Sequence, residues 1–380
     1  MTSARPLLDG IRVIEIGQIL AGPYCGMLLA DLGADVIKVE PPGGDLARSV
    51  GALGAGGVSP YFASLNRNKR SVVIDLRSDA GQEQLGALVA DSHALVVNMK
   101  GSTTQALGLT YEHLKRWNER IVCVAITGYG LDGSRADSPS FDYIIQAETG
   151  VAAMTGDPDG PPTLAGYSVI DNSVASYAAL GLVAAILRGE GGQVEVSLHD
   201  TLLAQLNYRA AAVLNGGAEP ARAHMGAHGF YAPAQLFATA DGHLAVFVAH
   251  DGFWRPLALE MGGEDLADDP RFATMASRAA HRDELAKLLA DIWRTRTTAE
   301  WLAALRPLGV PVGPVATLTE TLDTDFVAER AMVMRTPTDD GGQMRTVASP
   351  IRTSGVDLPN RPAPRLGADT EAVLGDAPGP

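Results

Sequence analysis

The sequence predicts an α/β protein built on a parallel sheet. Three observations carry this. Short β-branched runs of four to six residues recur through the first 130 residues, helical patterns alternate with them, and a Gly/Pro break (Gly17–Pro23) directly follows the first run. The first run is Ile11–Ile16. Beyond the break, Tyr24–Leu32 reads as a helix with Met27, Leu28 and Leu32 facing inward. Asp35–Val39, Ser71–Leu76, Ala94–Asn98 and Ile121–Ile126 read as further strands, with helices over Gln82–Asp91 and Tyr111–Trp117 between them. An Ala/Leu-rich helix is expected over Ser173–Leu187, a strand over Val194–Leu198 and a helix over Asp200–Leu214. Parallel sheets place ligands at the carboxyl ends of their strands. Three loops leave those ends, at Gly17–Pro23, Asn98–Gly101 and Thr127–Gly130.

The chain has 380 residues, 46% of them hydrophobic, which is enough for a large core and for two to three domains. We place a large domain over 1–214, a Gly/Ala/Pro-rich linker over 215–228 and a smaller α+β domain over 229–319. A return segment over 320–380 is expected to pack on the large domain. In the smaller domain Leu244–Val248 reads as a strand. Asp283–Trp293 is an amphipathic helix with Leu285, Leu288, Leu289 and Ile292 on one face, and Ala299–Leu305 is another helix. The tail reads as a hairpin of Met344–Val347 with Ile351–Ser354.

The formal charge of −14 argues against nucleic acid or an anionic membrane as partner, although a local pocket can still oppose the global sign for a small anion. Two cysteines, Cys25 and Cys123, make no disulfide scaffold and suggest a reducing compartment. The N-terminus lacks the apolar run of a secretory signal, and the expectation is a cytoplasmic protein.

Gly128-Tyr129-Gly130-Leu131-Asp132-Gly133 fits G-x-G-x-x-G after a strand. Pro139 prevents the following residues from opening the helix that would hold a pyrophosphate, so the motif reads as a Gly-rich turn. There is no Walker A pattern, no G-x-S-x-G elbow and no Cys-x-x-Cys, and no metal site is expected. Asp171, ahead of the Ala/Leu-rich helix, has two compatible readings. It is a good N-cap. A carboxylate at a helix N-terminus is also favoured as the anion, and with an ordinary pKa it serves as a nucleophile at neutral pH without a general base.

Several segments together resemble the family III CoA-transferases. They are Leu8–Glu15, Ala21-Gly22-Pro23, Leu32–Asp45, Asn66–Ser71, Thr127–Gly130, Gln146-Ala147, Gly156–Pro162, Gly166–Gly181, Gly192–Asp200, Ala240-Asp241-Gly242 and Gly309–Val315. The resemblance covers nearly the whole chain. It implies a Rossmann-like large domain, a small domain and an interlocked homodimer. Coenzyme A or acyl-CoA would be a substrate, a small carboxylic acid the second partner, and no cofactor would be bound permanently.

The family includes formyl-CoA and carnitine CoA-transferases and α-methylacyl-CoA racemases. In the transferases, the aspartate matching Asp171 passes through an acyl anhydride and a CoA thioester. The racemases carry a His/Asp pair in the segment that reads Ser140-Phe141-Asp142-Tyr143 here. Phe141 cannot move a proton, so the resemblance favours a transferase over a racemase or a non-catalytic CoA-binding protein. Asp142 and Phe141 are then expected to support the site, Phe141 by stacking on or flanking the ligand. His250, near the place of a racemase glutamate, has a capping role as its simpler reading.

By the same resemblance Gln18, Ile19, Leu20, Ala21, Asn98 and Met99 would line the CoA path, with Lys69 and Arg70 on the phosphates. Arginines that the formyl-CoA transferases use are replaced here, one by Pro41 and one near Ala106. Arg48, Lys100 and Arg135 are therefore further phosphate candidates. Backbone N–H groups near Leu20–Ala21 or Gly226–Gly229 are candidate oxyanion donors.

Overall fold

The computed structural model describes residues 5–338 and 342–375, so the outermost ends of the expected domain ranges lie outside the described residues. The strands are β1 (Arg12–Ile16), β2 (Asp35–Glu40), β3 (Arg70–Val73), β4 (Ala94–Val97), β5 (Val122–Thr127) and β6 (Gly192–Ser197). Among the described residues these six form one parallel sheet in the order β3-β2-β1-β4-β5-β6. That is the doubly wound Rossmann order, whose crevice opens between β1 and β4, where the winding reverses. The central strands β4 and β5 read as nearly continuous apolar runs, as strands covered on both faces do. Every residue of β4 and β5 is buried.

The helices in chain order are α1 (Ala21–Asp31), α2 (Pro60–Asn66), α3 (Asp79–Ala90), α4 (Gly101–Ala106), α5 (Tyr111–Leu114), α6 (Asp142–Glu148), α7 (Val151–Met154), α8 (Val169–Arg188), α9 (Leu198–Gln205) and α10 (Asn207–Leu214). Helix α8 packs on α1, β5 and β6. It is long and apolar enough to cross a membrane by length and composition, but Ile170, Val174, Ala175, Ala178 and Leu182 are fully buried against those neighbours, as in a core helix. No helix interrupts residues 128–141, so the G-x-G-x-x-G stretch is a turn without a pyrophosphate-holding helix.

The described chain groups into two compact units. One comprises Met1–Thr149, Gly166–Asn207 and Thr324–Pro380; the other comprises Gly150–Ala165 and Tyr208–Asp323. Residues 150–165 and 208–228, which the sequence reading assigns to the large domain and the linker, group with the second unit. The cause is a set of local bonds. The Arg222 guanidinium donates to the Gly160 and Asp157 carbonyls, and His224 Nδ1 stands 3.0 Å from the Asp157 carboxylate. The helix expected over Asp200–Leu214 breaks between α9 and α10, where Asn207 takes φ +22°.

The second unit has its own antiparallel sheet, β7 (Ala234–Ala238), β8 (His243–Phe247) and β9 (Val312–Pro314), in that order. Its helices include α11 (Asp251–Ala267), α12 (Met275–Ala280), α13 (Arg282–Trp293) and α14 (Thr298–Leu305). Trp254, Phe272, Trp293 and Trp301 fill the core, and Trp301 Nε1 donates to the Trp293 carbonyl at 2.8 Å. His250 is the N-cap of α11, accepting from Gly252 N–H at 3.1 Å.

The tail hairpin differs from its expectation. Gln343–Val347 (β11) pairs with Val333–Pro337 (β10) upstream, and residues 351–354 form no strand. The upstream strand already pairs with β11 along its whole length, and the Val347 carbonyl also accepts from Arg67 at 2.9 Å. The return segment docks on the sheet edge. Asp369 accepts from Ser71 N–H at 2.8 Å, and Arg361 N–H donates to the Asn68 side chain at 2.7 Å.

Candidate functional site

A cleft of about 890 Å³ opens at the carboxyl ends of the strands of the first unit. The loop after β1 brings Gln18, Ile19, Leu20 and Ala21. The loop after β4 brings Asn98, Met99 and Lys100, and that after β5 brings Thr127 and Gly128. Pro41 and Pro42 follow β2, and Asp75, Leu76 and Arg77 follow β3. Ser140, Phe141 and Asp171 complete the wall. The largely apolar lining, with a few polar groups, suits a small-molecule ligand with one reacting end.

Asp171 is not the cap of α8. It is the third residue of the helix, with Ser168 at the N-cap position. The capping is done from another element. Asp142 Oδ2 accepts the Ile170 N–H at 2.7 Å and stands 3.4 Å from the Asp171 N–H, while Gln146 Nε2 donates to Oδ1 at 2.5 Å. Asp142 is 4% exposed, with one oxygen on the helix end and the other on Gln146.

Among the described residues the Asp171 carboxylate receives no such donor. Removal from water, and then the neighbouring Asp142 carboxylate, push its pKa up to about 7. The expectation of a carboxylate with an ordinary pKa is therefore corrected: near neutrality Asp171 is divided between acid and anion. The helix N–H groups that would have favoured its charge are satisfied by Asp142 instead.

The loop after β1 is tightly fixed. Asn98 accepts from Gln18 N–H at 2.9 Å and donates to the Gln18 carbonyl at 3.0 Å. Glycine is required twice here. A Cβ on Gly17 would stand 2.9 Å from Asn98 Oδ1, and one on Gly22 would stand 2.8 Å from it. Phe141 borders the cleft and is 72% exposed, so its ring can lie against a ligand.

Comparison with known proteins agrees with this geometry. The model of CoA-transferase family III matches residues 8–370. The chain belongs to CoA-transferase family III. Among curated relatives of this transferase, the succinate–glutarate CoA-transferase of Agrobacterium fabrum is 35% identical, covering 99% of this chain and 97% of its own. The succinyl-CoA–D-citramalate CoA-transferase of Chloroflexus aurantiacus is 37% identical over 88% of this chain and 85% of its own. A CaiB/BaiF family protein from Brucella suis has a similar structure, with a TM-score of 0.85, 33% identity and coverage of 97% and 99% of the two chains. All of these observations make the chain an α/β enzyme of CoA transfer.

The transferase places the basic candidates unevenly. Lys100 lines the cleft. Lys69 is buried, and its ammonium donates to Glu15, Pro23 and Asn66, each at 2.7 Å, which leaves it no hydrogen for a phosphate. Burial pushes it down to about 8, against the pull of Glu15. Arg70 pairs with Asp35 at 2.5 Å and does not line the cleft. Arg135 lies over the Tyr129 ring at 3.7 Å and pairs with Glu148 at 2.9 Å, and Arg48 pairs with Glu40 at 2.6 Å, both off the lining.

Arg77 is the cation that the sequence reading missed. Its signal was present: it follows a parallel strand, but that strand was extended to Leu76, whereas β3 ends at Val73. Both cysteines are buried thiols that burial raises to about 12, far from reactive thiolates. Among the described residues Asp157, Asp159 and His224 bring three ligand atoms within 4.8 Å of one another. All three are exposed in the second unit, and no buried donor joins them.

Proposed function

We propose that this transferase moves CoA between two carboxylic acids through covalent intermediates on Asp171. The observation that carries the reading is a carboxylate without a hydrogen-bond donor among the described residues, on the wall of a cleft that Gln18–Ala21 also line. An Asp171 oxygen attacks the thioester carbonyl carbon. The carbon–sulfur bond breaks, CoA leaves as thiolate and an aspartyl anhydride remains. The thiolate attacks the aspartyl carbonyl carbon, releasing the donor acid and leaving an aspartyl-CoA thioester. The acceptor carboxylate then retraces both steps. Each stage conserves the activation of the thioester, so the cycle needs no permanent cofactor, metal or ATP.

CoA lies along the strand ends in this reading, past Gln18–Ala21, Asn98 and Met99, with Lys100 and Arg77 facing its phosphates. Leu20 and Ala21 open α1 on the cleft wall, which makes their N–H groups candidate donors to a developing oxyanion. Phe141 flanks the ligand, and its inability to carry a proton argues against α-proton exchange. The relatives named for succinate–glutarate and succinyl-CoA–D-citramalate transfer make small dicarboxylates the first acids to test.

The protein acts as a homodimer in the cytoplasm in this reading. Tyr177, Leu180 and Leu187 of α8 are exposed large apolar residues that a second copy would cover. The test is a donor–acceptor screen with mass spectrometry of new CoA esters. A new ester with at least one acid pair is expected. CoA binding without exchange for any pair contradicts the reading, and solvent deuterium at the α-carbon without exchange replaces it with a racemase.

A further inference from the structure

The turn after β1 has a backbone shape that its own sequence opposes. Ile19 takes φ +68°, a left-handed conformation that β-branched residues rarely adopt. Such a shape persists only where its surroundings over-determine it. Here the polar groups are held one by one. The Gly17 carbonyl accepts from Lys38 Nζ at 2.9 Å, Asn98 brackets Gln18, and Ile19 N–H donates to Asp45 Oδ1 at 3.0 Å. The same Asp45 oxygen accepts from Ala47 N–H at 2.9 Å.

Behind the turn lies a buried, charge-balanced set of two acids and two lysines. Lys38 Nζ stands 2.9 Å from both Glu15 Oε1 and Asp45 Oδ2, and Lys69 Nζ is 2.7 Å from Glu15 Oε2, all four side chains being buried. A buried charge set is costly unless every member is paired, and hydrophobic residues would hold a fold as well. What this set supplies is a fixed position for Asp45 Oδ1, and with it for the Ile19 N–H.

We infer that Asp45 is a positioning residue of the transfer reaction: it latches Ile19 in its left-handed conformation so that the Gln18–Ala21 wall faces the thioester at Asp171. This rests on the reading of Asp171 as the acyl carrier. Loss of the latch lets Ile19 relax to negative φ and turns the wall, and small misplacements of this kind are expensive in rate.

The test pairs Asp45→Ala with Ile19→Gly. Asp45→Ala is expected to lower kcat/KM roughly 100-fold, to weaken coenzyme A affinity about tenfold by calorimetry, and to speed amide exchange in residues 17–21. Glycine adopts positive φ without strain, so adding Ile19→Gly to Asp45→Ala is expected to restore about tenfold of the lost kcat/KM. A merely structural aspartate gives a lower Tm with no rescue. Unchanged kcat/KM in Asp45→Ala, or no recovery in the double variant, overturns the inference. If Asp45→Ala does not fold, Asp45→Asn keeps the accepting oxygen and is expected to lose only about tenfold or less; a full 100-fold loss there overturns the latch. Calorimetry and amide exchange read the turn without turnover. If the wild type fails to transfer CoA, or Asp171→Ala still does, the functional reading falls while those two measurements still decide the turn.

Discussion

Asp45 and Asp171 belong to the same unit and are both largely removed from water, yet they end on opposite sides of the ordinary carboxylate range. Burial pushes Asp45 up, but the Lys38 ammonium and the Ile19 and Ala47 N–H groups more than offset it, so its carboxyl is held low. Burial pushes Asp171 up as well, and its neighbour Asp142 adds to the shift, to about 7. Burial is common to both, so the partners decide the difference. A carboxylate held by an ammonium and two backbone N–H groups fixes backbone. One left without donors in a cleft keeps its lone pairs for a substrate.

The widest separation between the two is expected from removing the reactive one. Asp171→Asn should lower kcat by about 10³-fold or more while the protein still folds, as loss of a covalent nucleophile does. Stability should move the other way. The folded pKa of about 7 lies above the unfolded value, so the penalty of the buried anion is absent below pH 4 and fully present above pH 7. Asp171→Asn removes it. Thermal unfolding should therefore show Asp171→Asn more stable than wild type at pH 8, by on the order of a few kcal/mol, and nearly equal to it at pH 4. A variant less stable at pH 8 would mean that Asp171 is partnered after all.

A second sharpening uses pH on the wild type. The nucleophile must be the anion, so kcat/KM should rise about tenfold per pH unit below pH 7 and level off above it. A profile flat from pH 5 to 8 would place Asp171 with Asp45 among the partnered carboxylates. The smallest effect is expected at Asp142. Asp142→Ala strips the cap from α8 and should cost about 1–2 kcal/mol by denaturant unfolding. It also removes the neighbouring charge, so the activity profile should shift toward lower pH.

The sheet was legible because buried parallel strands are written as unbroken apolar runs, and Ala94–Val97 and Val122–Ile126 show it. The three loops read from those strands do line the cleft. Other features depended on tertiary partners that no local pattern carries. Asp171 looked like a cap because it precedes an apolar helix, but the cap is Asp142, on a different helix. Lys69 and Arg70 looked like a free basic pair, yet Glu15, Asn66 and Asp35 claim them from other elements. Ile19 gave no signal of a left-handed backbone, since Asp45 and Asn98 impose it across the fold. The tail strand Gln343–Val347 was visible, but its partner is the upstream Val333–Pro337, a pairing no local pattern carries.

The central claim is tested most directly by incubating the transferase with an acyl-CoA donor it accepts, quenching with hydroxylamine, and mapping peptides by mass spectrometry. The account predicts a hydroxamate on the peptide carrying Asp171, absent from Asp171→Asn. Turnover of the donor with that peptide unmodified would contradict it.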